Sequence, residues 1–180
     1  MKSVQVYSVL RKRLAPAFKA NGFKRSKTML SWVRPQSELF LGAWCQVDQR
    51  GWDDYAGSKF VVEFQIGYEP VIGGRTIRRE RIGRMLNDDD RGTIRALQND
   101  VIAKLTRPPK GHALLHVGED VRTWYLKQFE PIEQPYSQRD DIWFRYKDAD
   151  DLAKWAQFLM TKLPEVIQQT ESWASQVAAH

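Results

Sequence analysis

Ser58-Lys59-Phe60-Val61-Val62-Glu63-Phe64-Gln65-Ile66-Gly67-Tyr68 is the stretch that decides the fold. Phe60, Val62, Phe64, Ile66 and Tyr68 alternate with Val61, Glu63, Gln65 and Gly67. A period of two held over this length is the signature of a β-strand. Residues 38–48 repeat it, with Leu39, Leu41, Ala43, Cys45 and Val47 on one face and Phe40, Trp44, Gln46 and Asp48 on the other. Residues 27–34 add a third strand, Leu30 and Trp32 opposite Met29 and Val33. Pro35-Gln36 supplies the first turn, and Arg50 to Gly57 a longer hairpin loop. These connections are too short for crossovers, so the three strands form an antiparallel meander.

Helices flank it. Residues 3–20 carry Tyr7, Leu10, Leu14 and Phe18 at spacings of three and four, which lines one helical face. Ser3 can cap this helix and Asn21-Gly22 can end it, while Pro16 should kink or split it. After Pro70 and Gly73-Gly74, the segment Arg75 to Arg84 holds five arginines and one glutamate. It reads as a loop passing into a short helix near Ile82 to Leu86. Asn87 or Asp88 caps a middle helix with Ile94, Leu97, Val101 and Leu105 inward, stopped at Pro108-Pro109. Residues 112–130 fit a strand and a helix about equally. Asp141 to Lys147 reads as a strand with Ile142, Phe144 and Tyr146 on one face. Asp148, Asp150 and Asp151 open a long helix with Leu152, Trp155, Leu159 and Leu163 inward. Pro164 kinks it or begins a second helix carrying Ile167, Thr170, Trp173 and Val177. The fold class is α+β: an antiparallel sheet of three meander strands plus one or two more, packed by N-terminal, middle and long or kinked C-terminal helices.

The 180 residues point to one domain over 1–180, and 42% apolar content supports a real core. The net charge of +6 is uneven. Residues 1–37 hold nine basic residues and no acidic one; residues 38–110 sum to +1 and residues 111–180 to −4. The single cysteine, Cys45, excludes an internal disulfide and suits a reducing, cytoplasmic setting. No secretory signal, transmembrane run, repeat or low-complexity tract is read.

The run Leu14-Ala15-Pro16-Ala17-Phe18-Lys19-Ala20-Asn21-Gly22-Phe23-Lys24 resembles the L-x-P-x-L/F-K-x-x-G-F-K opening of domain of unknown function family 4304. A strand like Met29 to Arg34, a strand like Trp44-Cys45-Gln46-Val47 and an F-x-x-x-x-x-I/L-G strand, here Phe60 to Gly67, continue the likeness over residues 10–68. The resemblance implies an α+β fold and a mostly bacterial cytosolic setting. It implies no catalytic residue.

Candidate chemistry is sparse. Cys45 shares a face with Leu39, Leu41 and Ala43, which suits a small buried hydrophobe better than a nucleophile. His112 and His116, with Glu119, have helical metal-ligand spacing, but Pro108-Pro109, Gly111 and Gly118 leave little room for a helix. In a strand the two imidazoles would stand about 13 Å apart. Asp48, Asp54, Glu63 and Gln65 resemble a Mg²⁺-nuclease pattern in which the usual lysine is replaced by Gln65. Gly73-Gly74-Arg75-Thr76 lacks phosphate-loop spacing. No catalytic residue, metal site or cofactor is assigned.

The strongest functional hint is the basic N-terminal third with the arginine stretch. Arg11, Arg13, Lys24, Arg25, Arg78, Arg79 and Arg81 are the candidate binding residues. Trp32, Trp44 and Trp52 lie between them in sequence and could stack bases. The leading expectation is a non-catalytic macromolecule-binding module with a protein partner, of an immunity- or defence-associated kind. The alternative is binding of nucleic acid or another polyanion; a metal-dependent nuclease comes third. No membrane partner is expected, and oligomeric state is not readable. The open question is whether the basic third faces a partner or the chain's own acidic C-terminal segment.

Overall fold

A computed structural model of the chain describes residues 3–27 and 30–178, with 177 and 178 as backbone only. Thr28 and Met29 of the first expected strand lie outside the described residues, as does the side chain of Val177. The helix α1 spans Ser3–Ala20 and buries Val6, Leu10, Leu14 and Phe18. Gly22 takes a φ of +80°, the Gly22 amide donates to Lys19 and the Phe23 amide to Phe18, so the helix closes in a left-handed C-cap. Phe23 then folds edge-on against Phe18, with ring centroids 5.5 Å apart.

The strands β1 Lys24–Arg25, β2 Leu30–Gln36, β3 Leu39–Val47 and β4 Ser58–Gly67 follow in order, each antiparallel to the next. The free edge of β4 is shared. β5, Thr76–Arg81, pairs with its second half, and β6, Phe144–Tyr146, with its first three residues. Two expectations are corrected and one left open is decided. Pro35 and Gln36 belong to β2, opposite Phe40 and Leu39, and the turn is Ser37-Glu38 with Ser37 at φ +54°. The arginine stretch is an edge strand rather than a loop, and it leads into α2, Ile82–Met85. Residues 112–130 are helical: a 3-10 turn at Ala113–Leu115, α4 at Glu119–Leu126 and a second 3-10 turn at Lys127–Phe129.

The middle helix α3, Asp88–Ala103, is capped as expected by Asn87, whose side chain accepts from the Asp90 amide. The last helix, α5, runs unbroken over Ala149–Ala178 through Pro164, as α1 runs through Pro16. Both prolines are exposed, so the carbonyls they leave without a partner can be hydrated.

One sheet face is the core. Phe18 stacks on Trp32 at 4.2 Å, and the register brings Trp32, Ala43 and Phe64 side by side beneath α1 and α5. From α5, Leu152, Trp155, Leu159, Leu163 and Ile167 complete it. No helix of the described residues is long and apolar enough to cross a membrane.

Candidate anion-binding surfaces

Alternation along β5 sends Arg79 and Arg81 to the sheet face away from the core, next to Gln65 and Glu63. Arg78 points the other way, toward α5. All three guanidinium groups are engaged. Arg78 lies over Trp173 at 4.4 Å and Arg79 over Trp44 at 4.8 Å. Arg81 lies over Trp143 at 5.0 Å, donates to Glu63 at 2.9 Å and pairs with Asp141. These contacts bury Glu63, Gln65 and Trp44 on the sheet face away from the core. The loop after β4 helps. Gln65 bonds the Val71 carbonyl and the Gly73 amide, and Ile72 lies against Gly42.

The other candidates sit elsewhere. Lys24 and Arg25 form the opposite edge of the sheet, four strand spacings or about 19 Å from β5. Arg25 bonds the carbonyls of Ser26 and Ser31. Arg11 and Arg13 are exposed on α1, about 160° apart around the helix axis. The seven candidates therefore do not form one site. The tryptophans expected to stack bases are withheld as well: Trp32 is under Phe18, Trp44 under Arg79, and Trp52 packs on Tyr146 with Lys147 over its ring.

Part of the set does fall together, with residues the candidate list omits. Lys12 and Lys19 are seven residues apart and share the solvent face of α1, with Arg11 and Arg13 on its flanks. Lys24 and Lys27 continue from the end of that helix. Arg11, Lys12, Arg13, Lys19, Lys24 and Lys27 are all exposed. None of the six makes an ion pair among the described residues. The i, i+7 spacing of Lys12 and Lys19 was the available signal.

The acidic C-terminal segment does not answer this border. Asp148 and Asp151 cap α5 and hold Lys104. Glu171 holds Arg34, the only N-terminal cation it pairs with among the described residues.

The remaining candidates are occupied individually. Asp48 accepts from the Arg50 amide and lies 3.8 Å from Lys59. Asp54 accepts from the Trp52 indole at 3.1 Å. Glu63 is five residues into β4, about 17 Å from the end where the hairpin holds Asp54. The nuclease-like carboxylates thus do not converge. His112 stacks on Tyr125 at 5.0 Å and stands 3.6 Å from Asp53, which also accepts from the Tyr125 hydroxyl. His116 instead faces the Lys110 carbonyl at 2.8 Å. Among the described residues no group of three His, Cys, Asp or Glu is arranged to hold a metal. Cys45 is fully buried, and burial pushes its thiol up to about 12, with Arg25 only partly offsetting this.

No family model, curated protein or solved structure matches the chain.

Proposed function

We propose that this protein is a non-catalytic binding module of the bacterial cytoplasm that docks an acidic protein surface along its N-terminal basic border. The observation that carries the reading is the set Arg11, Lys12, Arg13, Lys19, Lys24 and Lys27: exposed, and without an ion pair to a carboxylate among the described residues. Such a border raises association rates with a partner of opposite potential. The burial of Trp32 and Trp44 weighs against a single-stranded nucleic acid, whose affinity needs aromatic faces for its bases.

A second reading rests on the same charges. Phosphate backbone alone would satisfy them, with no base contact.

One experiment separates the two. Tagged wild-type chain and the Lys12→Glu/Lys19→Glu/Lys24→Glu variant are used to capture partners from native lysate, with and without nuclease. The proposal expects a defined protein that survives nuclease and is lost with the variant. Capture that disappears after nuclease transfers the assignment to nucleic acid. Capture that the variant leaves intact overturns both readings.

A further inference from the structure

Across the sheet from that border, the chain places two cations where ordinary folding physics would avoid them. Lys59 of β4 and Arg145 of β6 are direct cross-strand partners. Like charges in that position stand about 5 Å apart at Cβ and repel. Both residues are half-buried. Burial pushes the Lys59 ammonium down from its ordinary value; Asp48 and, less, Asp141 partly restore it, and Arg145 and Arg50 lower it further. Arg145 is pushed down by burial as well.

Neither charge is neutralised well. Arg145 donates to the Gln128 carbonyl at 2.6 Å and to the Gln128 side-chain oxygen. It has no carboxylate partner among the described residues. The nearest carboxylate to Lys59 is Asp48 at 3.8 Å, and its ammonium rests over Trp143 at 5.3 Å.

Both residues line a cleft of about 720 Å³, with Lys127, Gln128 and Trp143. That volume falls in the range of small-molecule sites. Glu130, Glu133 and Asp141 stand on its wall, the last already paired with Arg81. Their charge rejects a polyanion and leaves room for one anionic group on an otherwise uncharged or cationic ligand.

We propose that this cleft binds a small ligand through a single oxyanionic group, carboxylate or phosphate, seated between Lys59 and Arg145. The group converts their mutual repulsion into two charge-assisted contacts. Arg145 supplies a planar fork already oriented by Gln128, and Lys59 a point charge. The site is separate from the basic border and does not depend on it.

The test is calorimetric titration of the full chain at low ionic strength with inorganic phosphate and, separately, with acetate. Saturable one-site binding of either supports the proposal, and the preferred anion identifies the group. Affinity should fall at least tenfold in Lys59→Gln and in Arg145→Gln. The ligand-free Lys59→Gln chain should melt at or above the wild-type midpoint, because removing one of two opposed cations relieves repulsion. The proposal is overturned if neither anion saturates, if chloride at matched ionic strength gives the same heats, or if Lys59→Gln binds as the wild type does. A lower melting midpoint for ligand-free Lys59→Gln also overturns it, since that would mark the lysine as a structural tie.

Discussion

Asp151 is the residue whose removal should most clearly loosen the join between α3 and α5. Its side chain is 1% exposed and accepts three donors: the Lys147 amide at 2.8 Å, the Asp148 amide at 3.3 Å and the Lys104 ammonium at 2.5 Å. In return the Asp151 amide donates to the Asp148 carboxylate at 2.9 Å, a reciprocal cap at the start of α5. Asp151→Ala strands two amides at about 1 kcal/mol each, by the usual cost of a lost cap. Lys104 is 38% exposed and can return to water, so its loss adds less than about 1 kcal/mol. The sum is roughly 2–3 kcal/mol, or about 5–10 °C in melting midpoint for a domain of this size. Circular dichroism melts of Asp151→Ala, Lys104→Met and Asp150→Ala test it. Lys104→Met should lose less than half as much as Asp151→Ala, and exposed Asp150 almost nothing. A drop below 2 °C for Asp151→Ala, or an equal drop for Asp150→Ala, would refute the capping argument.

Two further outcomes follow from local geometry. Gly57 has φ +69°, and a Cβ there would fall well inside contact distance of the Tyr146 carbonyl oxygen, so Gly57→Ala should cost about 2 kcal/mol or more in urea unfolding. Gly51, with φ +84° and open space around it, should cost only about 1. Burial raises the Asp141 carboxyl, but hydrogen bonds from Arg81 and Trp143 outweigh it and hold the group below its ordinary 3.8. The stability it contributes is therefore present above that value and lost as pH falls through the folded-state value. Asp141→Asn should be less stable than wild type at pH 7, with the gap closing toward pH 2; a pH-independent gap would disprove the assignment.

The meander was legible because Phe60 to Ile66 and Leu39 to Val47 alternate without interruption, and period two fixes both strand and face. The second face was not legible. Alternation places Glu63 and Gln65 opposite the core but does not say what covers them; they are buried by Arg81 and by the loop carrying Val71 and Gly73, partners that only the folded chain brings near. The β5 strand was hidden by its arginines, which suit a sheet edge, where charge discourages pairing with another chain. Pro35 drew the turn two residues early. The true turn relies on Ser37 at positive φ, a state that serine seldom signals. Residues 112–130 could not be a strand beside β4, because its free edge is already shared by β5 and β6. The basic border was half legible: charge counting found the region, and the candidate set took in Lys24 but not Lys12 and Lys19, which share the α1 solvent face.

The cations of β5 and those of α1 are held differently, and salt should tell them apart. Those of β5 lie over tryptophan rings or within hydrogen-bond reach of carboxylates, where added ions compete poorly. Lys12 and Lys19 stand about 10 Å apart along α1, at 1.5 Å per residue. That is about one Debye length at 0.1 M salt. Their field therefore adds at low ionic strength and is screened at high. Raising salt from 0.05 to 0.5 M should weaken partner binding by more than tenfold. It should leave the melting midpoint unchanged or slightly higher, because it also relieves repulsion among the nine basic residues of the first 37. A midpoint that fell in step with binding would show that the border is tied into the fold's own electrostatics rather than held open for a partner.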